Sequence, residues 1–111
     1  MKYNEINDLF DLIKYSKQSG RHIKVVRETN SDLAYTIYSY DTPICVIIRI
    51  LKEGYNDYEC YVLVRWQFSR TTSHHRRIVI NALHNYCIIP YDYKDFTNLL
   101  KFYNIPLGEL R

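Results

Sequence analysis

Ile44-Cys45-Val46-Ile47-Ile48-Arg49-Ile50-Leu51, then Glu53-Gly54-Tyr55-Asn56-Asp57, then Glu59-Cys60-Tyr61-Val62-Leu63-Val64-Arg65-Trp66-Gln67-Phe68 is the stretch that decides the fold. Its first part is a β-branched run, which packs well on a pleated surface, and its middle is turn chemistry built around a glycine. Its last part alternates, with Cys60, Val62, Val64, Trp66 and Phe68 on one face. Together they read as a hairpin. Working outward to the N-terminal side, Leu33–Tyr40 is a further strand, broken from the run by Asp41-Thr42-Pro43, and His22–Glu28 is another, turning at Thr29-Asn30-Ser31-Asp32. Ile6, Leu9, Phe10 and Ile13 recur at helical spacing, which predicts an amphipathic helix over 4–17, stopped by Gly20.

After Phe68 the hydrophobic period changes from two to 3.6. Thr71 or Thr72 is placed to cap a helix that carries Ile78, Val79, Ala82, Leu83 and Tyr86 and runs to about Asn85. Cys87–Tyr91 reads as a linker because it contains Pro90. Asp92, with Asp95 three residues later, resembles a capping box for a last helix ending near Asn104, before Pro106. The expected order is α-β-β-β-β-α-α, a single α+β domain over 1–111: a four-stranded antiparallel sheet with helices packed on one face.

Composition narrows the function classes. The three glycines are far apart, so no glycine-rich loop can wrap a phosphate in backbone N–H groups, which excludes P-loop and Rossmann sites. Three cysteines, Cys45, Cys60 and Cys87, form no CxxC pair, and their odd number argues against a disulfide framework and for a reducing cytoplasm. The charged N-terminus lacks the apolar core of a signal peptide, and the apolar runs are too short to span a bilayer, so no membrane partner is expected. The net charge of +3 is modest, but it is unevenly placed. From Cys60 to Tyr91 there is no acid, while Arg65, Arg70, Arg76 and Arg77 fall there with His74, His75 and His84. Arginine in a helix's first turn opposes the helix dipole, so helix stability does not explain it; four arginines near a helix N-terminus suit a phosphate or a partner's carboxylate.

The candidate binding residues are therefore Arg65, Arg70, His74, Arg76 and Arg77, joined by Tyr61 and Arg49 on a sheet face turned away from the helices. On that reading Tyr61, Leu63, Arg65 and Gln67 face outward, with Cys45, Ile47, Arg49 and Leu51 beside them. His75 lies on the core face of its helix, where a histidine is a packed, hydrogen-bonded residue, and His74 points the other way with Asn81 and His84. His74 and His75 diverge by about a hundred degrees on a helix, a poor chelating pair. No metal, catalytic residue or cofactor is expected. His74 or His75 with Arg70 or Arg77 and a tyrosine could compose a metal-independent ribonuclease, the enzymatic alternative.

Tyr38-Ser39-Tyr40-Asp41-Thr42-Pro43-Ile44, followed by Trp66-Gln67-Phe68-Ser69-Arg70-Thr71-Thr72-Ser73-His74-His75, resembles a small uncharacterised domain of phages and mobile elements in AT-rich Gram-positive bacteria. Its recurring pattern is SYxTPI … WxYSxTTxxH. Ser69, Thr71, Thr72 and His75 match, and Phe68 replaces the usual tyrosine. The match covers about a third of the chain. In size and style the chain also resembles small anti-CRISPR proteins. That resemblance implies a non-enzymatic binding protein that inhibits a host defence in the host cytoplasm, with an RNA-guided CRISPR nuclease or its guide-RNA complex as partner. A small nucleic-acid-binding regulator using the same arginines is the alternative. Physically, Trp66, Ser69, Thr72 and His75 read as scaffold: Ser69 and Thr72 as caps, Trp66 roofing the first turn, and His75 donating to a carbonyl near Thr42-Pro43.

Overall fold

A computed structural model describes residues 23–28, 32–65, 70–83 and 86–110. The helix expected over 4–17, the loop residues 29–31, and Trp66, Ser69 and His84 lie outside these residues. The described chain runs β1 (Ile23–Arg27), β2 (Leu33–Ser39), β3 (Thr42–Lys52), β4 (Tyr55–Arg65), α1 (Arg70–Ala82), β5 (Cys87–Asp92), α2 (Tyr93–Phe102) and a 3-10 turn, Gly108–Leu110. The strands form one sheet in the order β1-β2-β3-β4-β5.

The α+β class agrees with the sequence reading; two details do not. First, the sheet has five strands and is mixed. The first four pair antiparallel, as expected from short turns, but Cys87–Asp92 is a strand that pairs parallel to β4, with Cys60 opposite Ile88 and Val62 opposite Pro90. A parallel pair needs a crossover, and α1 supplies it. Pro90 suggested a linker, yet an edge strand tolerates proline where no ladder N–H is required. Second, the helices cover opposite faces. Val79 of α1 and Leu83 just beyond it pack with Ile37, Ile44, Cys45, Ile47, Cys60 and Val62, whereas Phe96 and Leu100 of α2 pack with Leu33, Val46 and Leu63.

Alternation along β4 explains both faces. Tyr58, Cys60, Val62 and Val64 point to α1, and Leu63 points to α2. The face expected to be open around Leu63 is thus partly roofed by α2, and Leu63 is buried. The register also separates Arg49 from Tyr61: Arg49 pairs with Tyr58 and Tyr61 with Val46, so the two lie on opposite sides of the sheet. Cys45 and Ile47 belong with Val62, not with Leu63.

Turns are tighter than the sequence suggested. Glu53-Gly54 alone joins β3 to β4, both residues at positive φ (37° and 87°), and Tyr55 already pairs with Lys52. Two positive φ values match a type I′ hairpin, whose twist suits the flanking strands. Tyr40-Asp41 joins β2 to β3, and Pro43 lies within β3 at a register shift. α1 ends at Ala82, short of Asn85. α2 begins where the capping pattern places it: Asp92 accepts from the Asp95 N–H at 2.9 Å. The chain then folds back under β3, burying Ile105 and Leu110 with Phe96, while Tyr103 donates to Asp32 and Tyr93 to the Leu110 carbonyl.

Candidate functional site around α1 and the β2–β3 turn

Helical spacing sorts α1 into two stripes. Thr72, His75, Val79 and Leu83 recur at three and four residues and are buried, while His74, Arg77 and Asn81 are exposed. The divergence expected for His74 and His75 is observed. Between the stripes Arg76 is half-buried, and its Nη1 donates to the Val64 carbonyl at 2.9 Å. Arg76 thus fastens α1 to the end of β4. Arg65 closes β4 and Arg70 opens α1, so the chain positions of both flank this corner.

The two halves of the sequence pattern meet in the interior. Ser39, at the end of β2, donates from Oγ to Thr72 Oγ1 at 3.1 Å and lies 2.7 Å from His75 Nδ1. Ser39 Oγ thus bridges the Thr72 hydroxyl and the His75 ring, three groups linked by short polar contacts in the interior. The contact seen for His75 is thus with a strand-end hydroxyl just before the turn, where the sequence pointed to a carbonyl near Thr42-Pro43. Thr72 serves as Ser39's acceptor, so its hydroxyl works across to the sheet. A serine beside a histidine is also the pairing of a nucleophile and its base. Here both residues are 1% exposed, sealed between strand and helix. The geometry is that of a buried polar clasp between β2 and α1.

Around the clasp, Tyr40's ring lies 5.8 Å and His74's 6.5 Å from that of His75, so the turn and the helix meet at one place on the surface. Tyr40 is not among the candidate residues of the sequence, because its distinguishing property, a φ of 56°, is invisible there.

Tyr61 sits elsewhere. Its hydroxyl donates to Glu59 at 2.7 Å and its ring lies 4.9 Å from that of Tyr91. Burial first, then this hydrogen bond and the Glu59 charge, raises its pKa above the ordinary 10.0. Being across the sheet from α1, Tyr61 cannot share one contact with His74 and Arg77. Arg49 is on the α1 side, with its backbone N–H donating to the Asp32 carbonyl at 2.6 Å.

Among the described residues no three His, Cys, Asp or Glu side chains are grouped as metal ligands. Cys45 and Cys60 are buried free thiols, and Cys87 is exposed. Burial, and then the neighbouring Cys60, pushes the Cys45 pKa upward. No described helix is long and apolar enough to cross a membrane. Comparison with known protein families, with curated proteins and with solved structures finds no match.

Proposed function

We propose that the chain is a phage-encoded, non-enzymatic binding protein that inhibits a host defence in the host cytoplasm, with an RNA-guided CRISPR nuclease or its guide-RNA complex as the partner. The observation that carries the binding reading is the outward stripe of α1. The helix contains no acid, its first turn starts with Arg70, and His74 and Arg77 stand exposed above a polar layer that the sheet buries. A helix selected only for stability would place acids in its first turn and bases in its last, and α1 does neither. The resemblance to small phage domains and anti-CRISPR proteins supports the choice of partner.

Roles divide accordingly. Arg77 and His74 meet the partner, Arg70 and Arg65 flank that surface, and Arg76, Thr72 and His75 hold the helix in place. Affinity capture from a host lysate, with and without nuclease treatment, tests this. The expected result is a protein partner retained after nuclease treatment and lost with Arg77→Glu. A partner lost on nuclease treatment favours the nucleic-acid regulator instead, and retention by Arg77→Glu removes α1 from the contact.

A further inference from the structure

The β2–β3 turn combines three features that the fold's own stability does not require together. Tyr40 occupies the first turn position at φ 56°, a left-handed conformation that bulky residues rarely adopt and that Gly, Asn or Asp fill with less strain. Its side chain is nevertheless large and 48% exposed. And the residues around it are pinned from two directions. On one side Ser39 is clasped by Thr72 and His75. On the other, Thr42 donates to Glu109 at 3.1 Å, and Gly108 packs so closely that a Cβ there would stand 2.3 Å from the Asp41 carbonyl oxygen. Strain persists where surrounding structure over-determines it, and such places cluster at sites that bind.

The elements that meet at the turn also carry exposed polar and charged side chains. Asp41 and Glu109 are exposed on the turn and the C-terminal segment, and His74 and Arg77 are exposed on α1. Carboxylates on the turn and on the segment bonded to Thr42 disfavour a phosphate backbone here, whereas an exposed aromatic residue with polar groups on the neighbouring elements is the composition of a protein–protein contact centre. We propose that Tyr40 is the aromatic anchor of the contact: its rigidly presented ring enters an apolar pocket on a partner protein whose rim carries basic groups for Asp41 and Glu109, an acidic group for Arg77 and a hydrogen-bonding group for His74. This rests on the binding-protein reading and adds to it the anchor and the partner's chemistry.

The test compares Tyr40→Asn with wild type and Arg77→Glu in three measurements: melting temperature, binding to a guide-loaded RNA-guided nuclease, and binding to a twenty-nucleotide single-stranded RNA. Asparagine tolerates the left-handed conformation, so Tyr40→Asn melts no lower than wild type; a fall beyond about 4 °C, roughly what loss of one modest stabilising interaction produces in a domain this size, makes the tyrosine structural and overturns the proposal. Binding to the nuclease falls at least about tenfold, as for a hot-spot aromatic. If Tyr40→Asn binds like wild type while Arg77→Glu fails, the anchor is wrong and the binding-protein reading stands. Tyr40-dependent binding to the RNA overturns the protein partner. If the nuclease is bound by none of the three proteins, its choice as partner fails, and capture from nuclease-treated lysate decides: a protein held by wild type and lost with Tyr40→Asn upholds the anchor, and equal capture or none overturns it.

Discussion

His75 is the residue through which α1 and β2 share a hydrogen-bonded interior. Removing its ring deletes the bond to Ser39 and opens a cavity, so His75→Ala is expected to destabilise the fold by about 2–4 kcal/mol, read as a shifted denaturant midpoint. A mutant that keeps its midpoint yet loses binding would place His75 in the contact itself. Gly108 is the second residue with a sharp demand. It combines φ 59° with close approach to the Asp41 carbonyl, whereas Gly54, at φ 87°, has open space around its missing Cβ. Gly108→Ala should therefore cost more than Gly54→Ala, by roughly 1–3 kcal/mol for added strain and displacement; equal midpoints for the two variants would contradict the packing of the C-terminal segment against the turn. The sequence makes the buried His75 legible through the spacing of Val79 and Leu83. It carries no mark of Ser39 as partner, because a contact between residues so far apart in the chain depends on how α1 lies on the sheet.

At the scale of elements, α1 and α2 are built on different logic. α2 has an N-cap, Asp92, an acid at Asp95 and a base at Lys101 in its last turn. Asp92→Ala should lower stability by about 1 kcal/mol, measured by chemical denaturation. α1 has neither end charged to suit its dipole, and its two neighbouring arginines differ in role. Arg76→Ala loses the bond to the Val64 carbonyl and should destabilise by about 1–2 kcal/mol. Arg77→Ala, on the exposed stripe, should stay within about 0.5 kcal/mol of wild type. Equal losses would remove the distinction between scaffold and contact. Helix identity, and the start of α2, were readable from period and capping residues. β5 was not: Cys87–Tyr91, five of its six residues and including Pro90, read as a linker, and their strand character comes from pairing with β4, a tertiary effect.

For the whole molecule, the two helices on opposite faces make the sheet a central layer, a geometry that periodicity could not choose because Leu63 and Val62 are equally apolar on alternate sides. The candidate residues of the acid-free stretch lie on both sides of this layer, Arg77 and His74 with α1 and Tyr61 on the face that α2 covers in part. Burial also fixes how the molecule responds to alkali. Cys45, Tyr38, Tyr61 and Tyr103 all have pKa values raised in the folded state, chiefly by burial, with Glu28, Glu59 or Asp32 adding to it for the tyrosines and Cys60 for the thiol. Groups with raised folded values stabilise fully below their unfolded pKa and lose that contribution as pH climbs through the folded one. Stability should accordingly hold to about pH 9 and fall progressively above it, followed by melting temperature across pH; a flat profile to pH 11 would contradict these buried thiol and phenol environments. The proposed inhibition of an RNA-guided nuclease through the α1 surface is measured directly as target-DNA cleavage by the guide-loaded host nuclease while the protein is titrated in. Wild type is predicted to block cleavage near equimolar ratio, and folded Arg77→Glu to leave it running; unimpeded cleavage with both proteins, or equal block by both, would contradict the account.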